Sequence, residues 1–128
     1  MAATERSRID KLGVKAESRG VVLGIKDASF RRELRRRAAE VSERRLKNDC
    51  DFIFLLAEQK TALKRLRALE PRLKRNGALW VVWPKGQPHI KQNDVMAAAK
   101  QAGLVDVKIV AFSETYSALK LVIPLARR

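Results

Sequence analysis

Apolar residues fall along this chain in short continuous runs and in spaced stripes, and the two patterns alternate. The first run, RGVVLGI over residues 19–25, is β-branched and bounded by polar residues, which predicts a buried strand. Phe30, Leu34, Ala38 and Val41 then recur at helical spacing, with Asp27 or Ser29 placed to cap the start. SERRLKND reads either as a helix end or as a short edge strand around Val41. Residues 50–58, CDFIFLLAE, are apolar at successive positions, as in a parallel strand covered by helices on both sides. Leu63, Leu66, Leu69 and Leu73 predict a helix that Pro71 kinks or splits and Asn76-Gly77 stops. ALWVVW is the next strand, ended by Pro84. QNDVMAAAKQAG is a compact helix, capped by Asn93 or Asp94 and ended by Gly103. VDVKIVAFSE and SALKLVIP are two strands joined by a tight turn near Thr115-Tyr116. Residues 1–19 are polar and lack a sustained period. They read as a flexible basic arm with a short turn around residues 9–12, ahead of a single domain over residues 20–128.

Strands alternating with helices predict a three-layer, Rossmann-like α/β sandwich. Its sheet is mostly parallel with an antiparallel C-terminal strand. In such sheets ligands sit beyond the carboxyl ends of the strands, where strand order reverses. Four segments are expected on that rim: Lys26, Asp27 and Ser29; Glu58, Gln59 and Lys60; Trp83, Lys85 and Gln87; and Glu114, Thr115, Tyr116 and Ser117. Lys26, Lys60 and Lys85 suit a phosphate or carboxylate, and the helix starting near Ser29 would direct its free N–H groups at the same anion. Trp83 and Tyr116 offer flat faces for a ring. Taken singly, rim lysines are ordinarily solvated, and a tryptophan after a strand ordinarily packs under a loop. The candidate ligand rim is therefore Lys26, Ser29, Lys60, Trp83, Lys85, Glu114 and Tyr116 as a group.

Charge adds a second picture. Among 128 residues, 28 Lys and Arg face 14 Asp and Glu, a net charge of +14. Such a surface attracts polyanions over about 8 Å at physiological salt. Arg31, Arg32, Arg35 and Arg36 on the first helix, then Arg44, Arg45 and Lys47, then Lys64 and Arg65 on the second helix, would form one patch if both helices lay on the same face of the sheet. Its partner would be nucleic acid or another polyanion, bound with steep salt dependence.

Several chemistries are excluded or weakened. Cys50 and His89 are each the single residue of their type, so an internal disulfide and a cysteine zinc cluster are excluded and a histidine metal site is not expected. Asp49 and Asp51 precede a strand, at the end away from the rim, and read as a charged loop. No window approaches the roughly 18 apolar residues of a membrane span, and the first residues carry no signal-like apolar core, so a cytoplasmic protein is expected.

The runs DCDFIFLLAE, LKRNGALWVVWPKG and AGLVDVKIVAFSET resemble the second half of the S-adenosylmethionine-dependent methyltransferase fold. More closely, residues 12–124 resemble a family of small bacterial proteins classed as a domain of unknown function, with LWVVWPK and GLVDVKIVAFSETYSALKLV carrying the likeness. The resemblance implies a fold and no activity. The methyltransferase pattern also lapses where its cofactor would bind. Gly24 stands alone in VVLGIKDASF, where that fold has a glycine-rich turn, and no clear second strand ends in a ribose-holding acid. S-adenosylmethionine, or any other cofactor, is not expected. The leading expectation is a non-enzymatic, polyanion-binding protein. The alternative is a small-ligand sensor or enzyme using the rim, and the third reading is an interaction subunit, a homodimer joined through its edge strand.

Overall fold

The computed structural model describes residues 7–128. Six strands form one sheet: β1 (Arg19–Leu23), β2 (Glu40–Ser42), β3 (Cys50–Leu56), β4 (Leu73–Pro84), β5 (Val105–Ala111) and β6 (Tyr116–Val122). Their spatial order is β2-β1-β3-β4-β6-β5. The first four pair in parallel, and β6 is antiparallel to both β4 and β5. The expected α/β sandwich with an antiparallel last strand is therefore the observed fold. β6 is inserted inside the sheet, so the edges are β2 and β5.

Both faces of the central strands are buried, and their alternation divides the core in two. Val22, Phe52, Phe54, Trp80 and Val82 point to one face, where α2 (Ala28–Arg37) lays down Phe30 and Leu34. Val21, Ile53, Leu55, Leu79 and Val81 point to the other. There Leu63, Leu66 and Leu69 of residues 60–72 and Val95 and Ala99 of the helix over Gln92–Gln101 cover them. The first core is aromatic: Phe30 meets Phe54 and Phe112 edge-on, with ring centroids 5.1 and 4.7 Å apart. The second is aliphatic apart from Trp83.

Three sequence expectations change. Residues 1–6 of the expected arm lie outside the described residues, but from Ser7 the chain is packed. A single turn, α1 (Arg8–Lys11), buries Ile9, and Leu12 and Val14 follow it into the aromatic core. Second, the leucine-rich segment is not one helix. It is a 3-10 run over Lys60–Arg65, one α-turn, α3 (Leu66–Leu69), and a 3-10 turn at Glu70–Arg72. Leu73 already belongs to β4, and Asn76-Gly77 lies inside that strand. Gly77 stands there because β3 comes too close for a side chain: a Cβ would lie 2.7 Å from the Cys50 carbonyl oxygen. Third, of the two readings around Val41, helix end or short edge strand, the edge strand is observed: Val41 lies in β2 and leaves the helical stripe at Leu34.

The compact helix α4 (Gln92–Gln101) is capped by the carboxylate of Asp94, which accepts the Lys91 backbone N–H at 2.8 Å. Gly103 ends it at φ +79°, a left-handed conformation that glycine adopts without strain. At the opposite edge of the sheet, β5 exposes Val105, Val107 and Ile109. A register shift between Asp106 and Lys108 interrupts its ladder, a device that bends an edge strand away from foreign partners. Among the described residues no helix is long and apolar enough to cross a membrane.

Candidate functional site

The chain leaves β1 for β2 on one side and crosses back to β3 on the other, so strand order reverses between β1 and β3. A crevice of about 800 Å³ opens there, beyond the carboxyl ends of the strands and on the aromatic face. Its apolar lining is Ile25, Leu56, Val82 and Phe112. Its polar groups come from three loops: Lys26 and Asp27 after β1, Glu58 after β3, and Ser113 to Thr115 before β6, with Tyr116 at the start of that strand.

Two bonded systems shape the walls. Tyr116 donates its hydroxyl to Glu58 Oε2 at 2.7 Å, joining the start of β6 to the loop after β3 across the end of β4. That hydrogen bond, with burial and the charge of Glu58, raises the phenol above its usual range. Glu58 is also held by its backbone, whose carbonyl lies 2.9 Å from His89 Nε2. On the other wall, Arg8 is the hub. It donates to Asp27 (3.2 Å), Ser29 (3.0 Å), Glu33 (2.7 Å) and the Phe112 carbonyl (3.0 Å), while its guanidinium lies over the Phe30 and Phe112 rings. The N-terminal turn thereby pins the β1–α2 loop to the β5–β6 loop. Sequence reading missed Arg8 because a one-turn helix has too few residues to show a period.

Asp27 caps α2, accepting the Phe30 N–H at 3.0 Å and the Ser29 hydroxyl at 2.8 Å. Burial pushes its carboxyl up, but the Phe30, Ser29 and Arg8 donors outweigh that and leave it below the usual carboxylate range. The anion position expected at this helix start is thus filled by the protein's own carboxylate.

The candidate rim divides. Lys26, Glu114 and Tyr116 line the crevice, and Ser29 supports its wall. Trp83, Lys85 and Lys60 do not line it. Trp83 follows Val82 in β4 and so points to the opposite face, where it is 4% exposed beneath the loop that carries Ile90. Lys85 lies in the shallow hollow beside that loop. Lys60 sits farther along the same face, in a groove against α4, with its Nζ 3.6 Å from Asp94. The three lysines expected to share an anion are therefore apart. Among the described residues, Lys26 and Glu114 make no side-chain bond, whereas Asp27 and Glu58 are engaged.

The basic helices also divide. α2 covers the aromatic face and residues 60–72 the aliphatic one, so Arg31, Arg32, Arg35 and Arg36 are separated by the sheet from Lys64 and Arg65. Arg44, Arg45 and Lys47 lie on the α2 side instead. With Arg31 and Arg35 they line a concavity of about 470 Å³ beside edge strand β2. Glu43, the residue after β2, is ion-paired there to both Arg31 and Arg35. At the amino ends of the strands, Asp51 is the second residue of β3 and not part of a preceding loop as expected; it accepts the Arg19 N–H at 2.9 Å and pairs with Lys74 at 3.2 Å, a structural role away from the rim. Cys50 is buried, its thiol pushed up first by that burial and then by Asp51.

Solved structures share this architecture. A SAM-dependent methyltransferase from Aquifex aeolicus superposes with a TM-score of 0.71 at 15% identity, over 91% of this chain and 87% of that one. A ribosomal protein L11 methylase from Lactobacillus delbrueckii subsp. bulgaricus gives 0.70 at 10% identity, over 91% and 74%. The pyocyanin biosynthetic protein PhzM gives 0.68 at 11% identity, and there this chain spans only 53% of the other's length. At such identities the likeness shows the fold alone: a Rossmann-like, methyltransferase-type sheet. No curated protein matches the chain in sequence. Residues 27–125, from the Asp27 cap through β6, match the family described as Protein of unknown function (DUF3052), and the chain belongs to that family.

Proposed function

We propose that the protein binds a small organic molecule in the crevice beyond β1, β3 and β4, and that this ligand is not S-adenosylmethionine. The observation that carries the reading is the crevice itself. It is about 800 Å³, with an apolar floor and polar groups converging from three loops at the point where strand order reverses. With Asp27 ion-paired to Arg8, Glu58 and Glu114 face Lys26 on its walls, which favours a ligand with hydrogen-bond donors over a phosphate. Two features argue against the methyltransferase cofactor. The turn after β1 holds one glycine, Gly24, and then the buried Ile25, so close backbone approach is limited to a single residue. The acid beyond the second strand, Glu43, is held by two arginines and lines a separate concavity, so a ribose would have to break both ion pairs.

NMR or thermal-shift screening of purified protein with nucleosides, amines and S-adenosylmethionine tests this. A donor-rich compound should stabilise the protein. The effect should be lost in Leu56→Trp, which fills the crevice, and kept in Lys85→Ala outside it. Stabilisation by S-adenosylmethionine that Leu56→Trp abolishes would refute the exclusion. A hit insensitive to Leu56→Trp would remove the crevice.

A second reading is polyanion binding, with nucleic acid first. It is favoured by one observation: the concavity between α2 and β2 gathers Arg31, Arg35, Arg44, Arg45 and Lys47 against only Glu40 and Glu43.

A further inference from the structure

We infer that this concavity docks double-stranded nucleic acid through its phosphates, and that Glu43 is a built-in competitor that holds affinity down. The inference rests on the polyanion reading and gives it a place, a partner and a control element.

The place follows from the fold. β2 is an edge strand of three residues, so nothing in the sheet lies beyond it. The loop after it runs back past α2. This brings Arg44 and Arg45 beside Arg31 and Arg35 although they are nine or more positions apart in sequence. Arg32 and Arg36 extend the surface along the exposed side of the helix, one turn or about 6 Å apart. Among the described residues Arg32, Arg36, Arg44 and Arg45 make no side-chain ion pair. Two uncompensated guanidiniums on the concave surface, Arg44 and Arg45, and two more on the exposed side of the adjoining helix, Arg32 and Arg36, offer charge to a phosphate backbone, and guanidinium is the side chain that grips phosphate with paired N–H donors.

The partner follows from what the surface lacks. Proteins that bind single strands stack bases on exposed aromatic rings. Here every Phe and Trp is buried, and the only Tyr lies at the crevice with its hydroxyl on Glu58. A duplex keeps its bases stacked on themselves and needs only backbone contacts. An anionic bilayer would be helped by apolar anchors, and among the described residues near the concavity the exposed large apolar side chain is Leu46 alone.

Glu43 supplies the control. Its two carboxylate oxygens meet Arg31 and Arg35, side chains one helical turn apart, as the oxygens of a phosphate would. A bound phosphate must therefore displace Glu43 or make do with the outer arginines.

Fluorescence anisotropy with labelled 20-base-pair DNA and RNA duplexes, matched single strands, and anionic vesicles, each at several salt concentrations, tests the inference on the full chain. Duplexes should bind with a steep salt slope. Arg44→Glu with Arg45→Glu, on an exposed loop, should weaken binding at least tenfold and flatten the slope by about 2. Lys64→Ala with Arg65→Ala, on the opposite face, should change it less than twofold. Glu43→Gln should tighten binding about fivefold. Equal losses from the two double variants would overturn the assigned place while leaving polyanion binding intact. No binding to any nucleic acid at low salt would overturn both. Tighter binding to single strands or to vesicles would overturn the duplex. Unchanged or weaker binding by Glu43→Gln, with a wild-type circular dichroism spectrum, would overturn the competitor role.

Discussion

The two faces of the sheet both bury a core but end differently at the carboxyl rim. On the aromatic face, α2 starts one loop beyond β1, and the wall stops at Phe112 and Tyr116, leaving a crevice. On the aliphatic face, Trp83 and Ile90 fill the equivalent space, each almost without exposure. One strand serves both: Val82 of β4 floors the opening, and the next residue plugs the other side. A binding crevice here depends on the parity of a side chain in a strand, and a one-residue slip of β4 would exchange the open and filled sides.

The largest test of that contrast removes the core beneath each rim. Trp80→Ala should cost about 4 kcal/mol on the aromatic face and Leu66→Ala about 3 kcal/mol on the aliphatic one, read by chemical denaturation. Only Trp80→Ala should also abolish ligand-induced stabilisation. Equal loss of ligand response from Leu66→Ala would show that the faces are not independent.

Arg8→Ala comes next. It leaves Asp27 and Glu33 without their shared donor and frees the N-terminal turn, and should cost about 2 kcal/mol. Hydrogen exchange should quicken around residues 8–14 and 112–115, with Leu66 and Val95 on the far face unmoved.

Asp27 gives a smaller effect with a pH signature. Its carboxyl is lowered in the folded state, so its contribution is present above the unfolded value of about 3.9 and is lost as pH falls through the folded value. Asp27→Asn should therefore be about 1 kcal/mol less stable at pH 7 and converge on the wild type only once pH has fallen below the lowered folded value. A gap that persists at low pH would show that the Asp27 charge contributes nothing.

The smallest test concerns a mismatch on the aromatic face. Lys108 and Lys120 are directly paired across β5 and β6, and Lys120 is lowered by burial first and then by Lys108, Arg128 and Lys15. Lys108→Glu should stabilise the protein by about 0.5 kcal/mol.

The strands and the order of elements were legible because apolar runs bounded by Gly, Pro and charge leave few alternatives. Which rim residues meet was not, because that depends on which face each strand residue takes, and the sequence marks alternation without its sign. Trp83 falls away from Tyr116 for that reason, and Lys60 does so because the 3-10 run it starts turns onto the aliphatic face. Leu63, Leu66, Leu69 and Leu73 fit a helix as well as they fit a 3-10 run entering a strand. Gly77 signals a stop in either reading; only the approach of the Cys50 carbonyl identifies its purpose. A patch joining Arg31 and Lys64 requires both crossovers on one face, and charge says nothing about the side of a sheet on which a crossover falls.

β6 lies between β4 and β5, so β5 has no hydrogen-bonding neighbour until residues 116–122 have been synthesised. During translation the first four strands can assemble as they emerge and α4 can cover their aliphatic face, but β5 must wait for a strand still inside the exit tunnel. The loop that completes the crevice, residues 112–115, takes its place only in that last step. A nascent chain stalled earlier would display a folded sheet with no pocket.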